Sequence, residues 1–170
     1  RKYGHKLISA SASEGTIGKD HLFELLDLVE QSEFIYILET NGMTLGADPE
    51  YCKELAKYEH LHARVSIKGA SPDEYFDLTG ARPDSYWLPY KAMRNLIDVG
   101  VSCNACLMAS FSSDEGIEQV KKNLSKVHPG ILKSLEVETI TLFPKVQERL
   151  EKHGLKPTRA KRLRSWKKAA

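Results

Sequence analysis

The sequence predicts an α/β fold with a parallel sheet, built from five β/α units. Three observations carry this. Five short apolar runs rich in β-branched residues recur along the chain, at 6–12, 34–39, 62–68, 102–109 and 137–143. Helical patterns with start and stop signals separate them. Each connection exceeds 20 residues, too long for hairpins and long enough for the right-handed crossovers that parallel strands require. Pattern alone leaves two architectures open, an open doubly wound sheet and a partial barrel.

Several of the runs are nearly continuous in apolar residues, as strands covered on both faces are. Between the first two, Asp20 is placed to cap a helix whose Leu22, Leu25, Leu26 and Val29 share one face. Asp48-Pro49 is a cap with proline at the first helical position. Ser71-Pro72-Asp73-Glu74 joins that proline to a capping-box spacing, and Ser112-Ser113-Asp114-Glu115 repeats the spacing. Gly100 and Gly154 follow apolar stripes and suit left-handed helix ends.

The chain of 170 residues, 41% hydrophobic and 28% charged, has the length and composition of one globular domain. No window resembles a membrane span or a secretory signal, which predicts no membrane partner. Three cysteines make no disulfide framework, so a reducing cytoplasm is the expected location. The chain opens on Arg1 rather than Met and runs straight into a strand-like segment, the pattern of a truncated chain.

Charge is unevenly distributed. Residues 152–168 carry eight basic side chains and no acid; removing them leaves 17 basic against 23 acidic residues, a net of −6. The expected division is therefore a domain over 1–156 and a basic tail over 157–170, helical or without regular structure.

Ligands in parallel α/β folds gather at the carboxyl ends of strands. Those ends read Ser11-Ala12-Ser13-Glu14-Gly15-Thr16, Glu39-Thr40-Asn41-Gly42, Ser66-Ile67-Lys68-Gly69, Ser110-Phe111-Ser112 and Phe143-Pro144-Lys145. Charges at Glu14, Glu39 and Lys68 are costly there unless paired or used; the plain alternative to a site is a mutual ionic cluster at the sheet edge. Cys103 and Cys106 have a metal-like spacing, but positions i and i+3 of a strand face opposite ways, so both are expected to be core residues and no metal site is expected. Cys52 reads as a packing residue. His5, His60 and His62 lack partners at ligand spacing, and His128 and His153 lie near helix ends.

These elements resemble the radical S-adenosylmethionine (SAM) superfamily. Ala12-Ser13-Glu14-Gly15-Thr16 stands where its Gly-Gly-Glu-Pro-Thr segment falls. Glu39-Thr40-Asn41-Gly42 resembles the "(D/E)TNG" element of the glycyl-radical (pyruvate formate-lyase) activating-enzyme branch, and Ser66-Ile67-Lys68-Gly69 its "D(I/L)K" element. Asp73 to Gly80 resembles the helix and turn that follow. The resemblance covers most of residues 6–145 and implies a partial (β/α) barrel of the TIM type. It implies that main-chain groups of Ala12, Ser13 and Glu14 hold the SAM amino group, that Thr40, Asn41, Ser66 and Lys68 face its ribose and carboxylate, and that the strand from Asn104 to Met108 lines the adenine. The implied reaction is reductive cleavage of SAM to a 5′-deoxyadenosyl radical that abstracts hydrogen from a substrate, a protein or RNA. A [4Fe-4S] cluster and a reductant such as flavodoxin or ferredoxin are implied with it. The departure is large: no Cys-x3-Cys-x2-Cys loop precedes Ser9, so the chain is expected to be inactive by itself.

Two other functions fit the residues. Lys68, if desolvated, would serve a Schiff-base lyase with Glu14 or Glu39 moving protons. The tail, with Trp166 among Arg164, Lys167 and Lys168, would serve an RNA-binding module.

Overall fold

The β-branched runs form strands that pair in the order in which they occur. A computed structural model describes residues 6–10 and 14–162. Strands β1 (Leu7–Ile8), β2 (Ile35–Thr40), β3 (Leu61–Lys68), β4 (Ser102–Met108) and β5 (Glu136–Glu138) make one sheet, β1-β2-β3-β4-β5, with every pair parallel. A doubly wound sheet reverses direction at a switch point; this one never does. The architecture is a curled α/β half-barrel.

The consecutive order has a geometric consequence. Right-handed crossovers that always advance the same way put every helix on the same face of the sheet. Helices α1 (Lys19–Glu30), α2 (Met43–Ala47), α3 (Pro49–Leu55), α4 (Pro72–Thr79), α5 (Leu88–Asp98) and α6 (Asp114–Val127) supply that layer. Against it Tyr36, Leu38, Ala63, Val65, Ile67, Ala105 and Leu107 are buried. The alternate residues face the other way and are half-buried or exposed in β2 and β3. The expectation of strands covered on both faces is thus corrected: a half-barrel covers only one.

The capping signals fare unevenly. Asp48 Oδ1 accepts from the Glu50 and Tyr51 amides at 3.0 and 3.2 Å, and Ser71 Oγ from Glu74 N at 3.1 Å. For α6 the cap is Ser113, one residue later than the repeated spacing suggested; its Oγ accepts from Gly116 N at 3.0 Å. Asp20 caps nothing, because a 3-10 turn over Gly15–Ile17 runs into α1 and leaves Asp20 inside the first turn. Gly100 and Gly154 have φ of 82° and 66°, as helix-ending glycines should.

The run at 137–143 is two strands, not one. Ala109 N donates to Glu138 O at 2.9 Å, and there the main ladder ends. Ile140 N donates instead to Ser110 Oγ at 2.7 Å. The next residues, β6 (Ile140–Leu142), then pair in parallel with β7 (Ala160–Arg162), and α7 (Pro144–Lys152) joins them. Residues 160–162 are therefore neither helical nor irregular: Thr158 Oγ1 and Arg159 N donate to Ser110 O at 3.0 and 3.1 Å, leading the chain into β7. Arg164, Trp166, Lys167 and Lys168 lie outside the described residues.

The tightest helix contact is where α2 crosses the start of α5. A Cβ built on Gly46 would sit 2.1 Å from Leu88 O, an atom of the main chain that cannot swing away. We expect Gly46→Ala to destabilise the domain by about 2–3 kcal/mol, the upper range for overpacking, read as a lower urea midpoint with an unchanged slope. A wild-type midpoint would mean that α2 and α5 separate easily.

Candidate functional site

The uncovered face is an ordered grid of side chains. In register across it stand His62 with Ser102, Arg64 with Glu39 and Asn104, Ser66 with Cys106 and Glu136, and Lys68 with Met108 and Glu138. The carboxyl edge, where ligands are expected, carries Asn41, Ser66, Lys68 and Met108.

Glu14 organises the first corner of that edge. Its Oε1 accepts from Thr16 Oγ1 and Thr40 Oγ1, both at 2.7 Å, and its Oε2 accepts from Asn41 N at 2.6 Å. Thr40, 3% exposed, in turn accepts from Gly42 N at 3.0 Å. Asn41 Oδ1 accepts from Met43 N at 2.9 Å, starting α2. Gly42 has φ of +74°, and a Cβ there would meet Pro89 Cα at 2.9 Å. Each residue of the Thr-Asn-Gly element thus has a local task, and together they fasten the loop after β1 to the loop after β2. Ala12 and Ser13 lie outside the described residues.

Lys68 is exposed, and its ammonium has no hydrogen bond or ion pair among the described residues. The suspected ionic cluster of Glu14, Glu39 and Lys68 does not form: Glu14 is held by hydroxyls and an amide, and Glu39 approaches Arg64 at 3.7 Å. A Schiff-base lysine needs desolvation or a cationic neighbour, and exposed Lys68 has no such setting. An open ammonium beside a hydroxyl, an amide and a thioether does suit an amino-acid carboxylate joined to a sugar.

Below the edge lies a cluster that the sequence reading missed. Arg64, with its side chain 16% exposed, donates to Glu136 at 2.9 and 3.0 Å, to Glu138 at 2.5 Å and to Cys106 Sγ at 3.0 Å. The guanidinium hydrogen bonds hold Glu136 below the usual carboxylate range, and the same contacts keep Arg64 firmly protonated. Cys106, Glu136 and Glu138 have ligand atoms within 4.8 Å of one another, but Arg64 already supplies the positive charge among them. The signal was legible: Leu61, Ala63, Val65 and Ile67 alternate with His62, Arg64, Ser66 and Lys68, a period-2 pattern that puts one face in a polar setting. Asn104 belongs to this lower tier: its Oδ1 pairs with His62 Nε2 at 2.9 Å, and its Nδ2 donates to Glu136 at 2.8 Å and Ser134 O at 3.2 Å.

An iron–sulfur cluster needs converging thiolates, and the three cysteines do not converge. Cys52 is buried in α3 with its thiol on Leu45 O at 3.5 Å, Cys103 faces the helix layer, and Cys106 faces Arg64 on the opposite side of β4. Burial pushes the Cys52 and Cys103 thiols up to about 11 and Cys106 up to about 12, away from the thiolate form. Cys103 and Cys106 do point apart, as strand geometry requires.

No family model matches the sequence, and none of the curated proteins matches it. Solved structures do match. SuiB of Streptococcus suis bound to S-adenosylmethionine aligns at a TM-score of 0.64 and 17% identity, over 92% of this chain and 37% of that one. The fold is shared with a SAM-bound protein. SuiB bound to precursor peptide SuiA gives 0.64 and 17%, over 91% and 38% of the two chains. The protein anSMEcpe with bound AdoMet and Cp18Cys peptide gives 0.60 and 18%, over 80% and 38%. The chain therefore spans less than two fifths of these proteins. At such identities the likeness establishes the half-barrel itself.

Arg64→Met tests the lower cluster. Among the described residues it removes the one cation paired with Glu39, Glu136 and Glu138, and we expect a loss of about 2–3 kcal/mol at pH 7, less than for a fully buried pair because the carboxylates are about half exposed. A depressed carboxylate pKa stabilises above the unfolded value, about 4.3, and that contribution fades as pH falls through the folded value. The difference between wild type and variant should therefore narrow between pH 5 and pH 3 in urea titrations. A pH-independent difference would assign Arg64 a packing role only.

Proposed function

We propose that this chain is the SAM-binding part of a radical SAM enzyme. The observation that carries the reading is the carboxyl edge of the open face. There, four polar or soft residues, Asn41, Ser66, Lys68 and Met108, stand at three consecutive strand ends beside a loop pinned by Glu14. The order of the sequence elements and the likeness to two SAM-bound folds support it.

In this reading the main chain of Ala12, Ser13 and Glu14 holds the SAM amino group, and the Glu14 clamp fixes that backbone against the turn after β2. Lys68 holds the carboxylate as a point charge with three donors. The side-chain amide nitrogen of Asn41 and the Ser66 hydroxyl reach the ribose, and Thr40 acts behind them by holding Glu14. Met108 lines the adenine with a polarizable thioether; Asn104, on the same strand, braces that side from below. SAM, reduced through an iron–sulfur cluster, supplies hydrogen-abstraction chemistry. The cysteines of this chain do not provide the cluster's ligands.

The substrate class is proposed to be a polypeptide, since the SuiB and anSMEcpe structures include peptide complexes. The activating-enzyme branch rests on the Thr-Asn-Gly and Ile-Lys elements alone, and a flavodoxin-like or ferredoxin-like reductant in the cytoplasm follows from the superfamily. No helix among the described residues is long and apolar enough to cross a membrane.

Isothermal titration of the 170-residue chain with SAM should show saturable binding, weakened tenfold or more by Lys68→Ala and less by Lys68→Arg. The same chain, treated with iron, sulfide and dithionite, should form no 5′-deoxyadenosine. Absence of SAM binding would end the proposal, and 5′-deoxyadenosine formation would contradict the cysteine geometry.

A further inference from the structure

The outer surface of the helix layer carries a second concave site, remote in character from the strand ends. Between α5 and α6 lies a cavity of about 430 Å³ lined by Trp87, Tyr90, Lys91, Arg94, Asn123, Lys126 and Val127. Its volume falls in the range of small-molecule sites.

Its charge is the first anomaly. The body of the chain has a net charge of −6, yet among the described residues three cations and no acid line this cavity. The ammonium groups of Lys91 and Lys126 have no hydrogen bond or ion pair among the described residues. Arg94 donates to Lys126 O at 2.8 Å, which offsets the partial negative charge at the carboxyl end of α6. That contact weakens the feature of the cavity most hostile to an anion.

The second anomaly is Trp87. It is 44% exposed at the start of α5, where large aromatic surface is costly to leave in water. Its ring is held by Tyr86 at 4.9 Å, edge-on, and by Tyr90 at 5.5 Å. Beneath it the Tyr86 and Tyr90 hydroxyls share a hydrogen bond of 2.9 Å. The aromatic surface is thus rigid as well as exposed, which is what stacking requires.

We propose that this groove binds a nucleotide, with its base stacked on Trp87 and its phosphate held by Lys91, Arg94 and Lys126. Rigid aromatic surface beside clustered cations is the recognition chemistry of single nucleotides and single strands. A docking helix would need anchors along several turns, and α6 contributes only the stretch from Asn123 to Val127. The same chemistry is offered by a free nucleotide or by one unit of a single strand. The site is independent of SAM binding at the strand ends and survives if that reading fails.

The chain has two tryptophans, so Trp166→Phe leaves Trp87 as the sole reporter. Its emission, excited at 295 nm, is followed during titration with uridine 5′-monophosphate, uridine, single-stranded rU10, inorganic phosphate and poly-glutamate. We expect saturable quenching by the monophosphate or by rU10, at least tenfold weaker with uridine. The Lys91→Ala/Lys126→Ala double variant, altered only at exposed positions, should bind at least tenfold more weakly, and binding should weaken as salt rises. Monophosphate binding identifies a free nucleotide as sufficient, and binding by rU10 alone identifies a strand. Quenching by poly-glutamate but neither nucleotide probe would overturn the proposal. So would no saturable change, or binding indifferent to the double variant.

Discussion

Strands that follow one another in a single parallel order must send every crossover to the same side, and the rest of this structure depends on that constraint. It gathers the helices on one face, where the apolar side of each strand packs against them. It also leaves the second face uncovered, so the polar residues of β2 to β5 there must satisfy one another or remain available. Both outcomes occur. The lower tier closes on itself through Arg64, Asn104, His62 and the two glutamates of β5. Among the described residues, the upper tier leaves Lys68 without an ion-pair partner and the amide nitrogen of Asn41 without a hydrogen bond.

That division explains why the carboxyl edge is the better place for chemistry. A guanidinium shared by three carboxylates and a thiol is a structural brace whose donors are already engaged. Exposed Lys68 asks for an anion. Glu14, which the lyase alternative would use to move protons, is engaged as an acceptor by three donors and serves the edge by positioning it. Its three hydrogen bonds weld the loops after β1 and β2 into one wall of the candidate pocket.

Much of this was legible in the sequence because local rules decide it. The five strand positions follow from β-branched runs, and the Asp48 and Ser71 caps from short-range hydrogen bonding. Opposite pointing of Cys103 and Cys106 follows from strand pleating. The misses share a different cause. Asp20 fails as a cap because a 3-10 turn precedes it, and 137–143 splits because Ser110, some 30 residues away in the chain, captures Ile140 N. Arg64 was overlooked because only its partners, on β2, β4 and β5, reveal its role, although its period-2 placement hinted at the face. Ser110 joins Ile140, Thr158 and Arg159 through contacts that no local pattern announces.

The central claim is that the carboxyl edge of the open face is a SAM pocket. Amide chemical-shift mapping of the isotope-labelled chain with added SAM tests it residue by residue. The account predicts the largest perturbations at Glu14, Asn41, Gly42, Ser66, Lys68 and Met108, with His62 and Ser102 at the opposite end of the sheet unmoved. Perturbations confined to the lower tier, to the helix layer around Trp87, or absent altogether would contradict it.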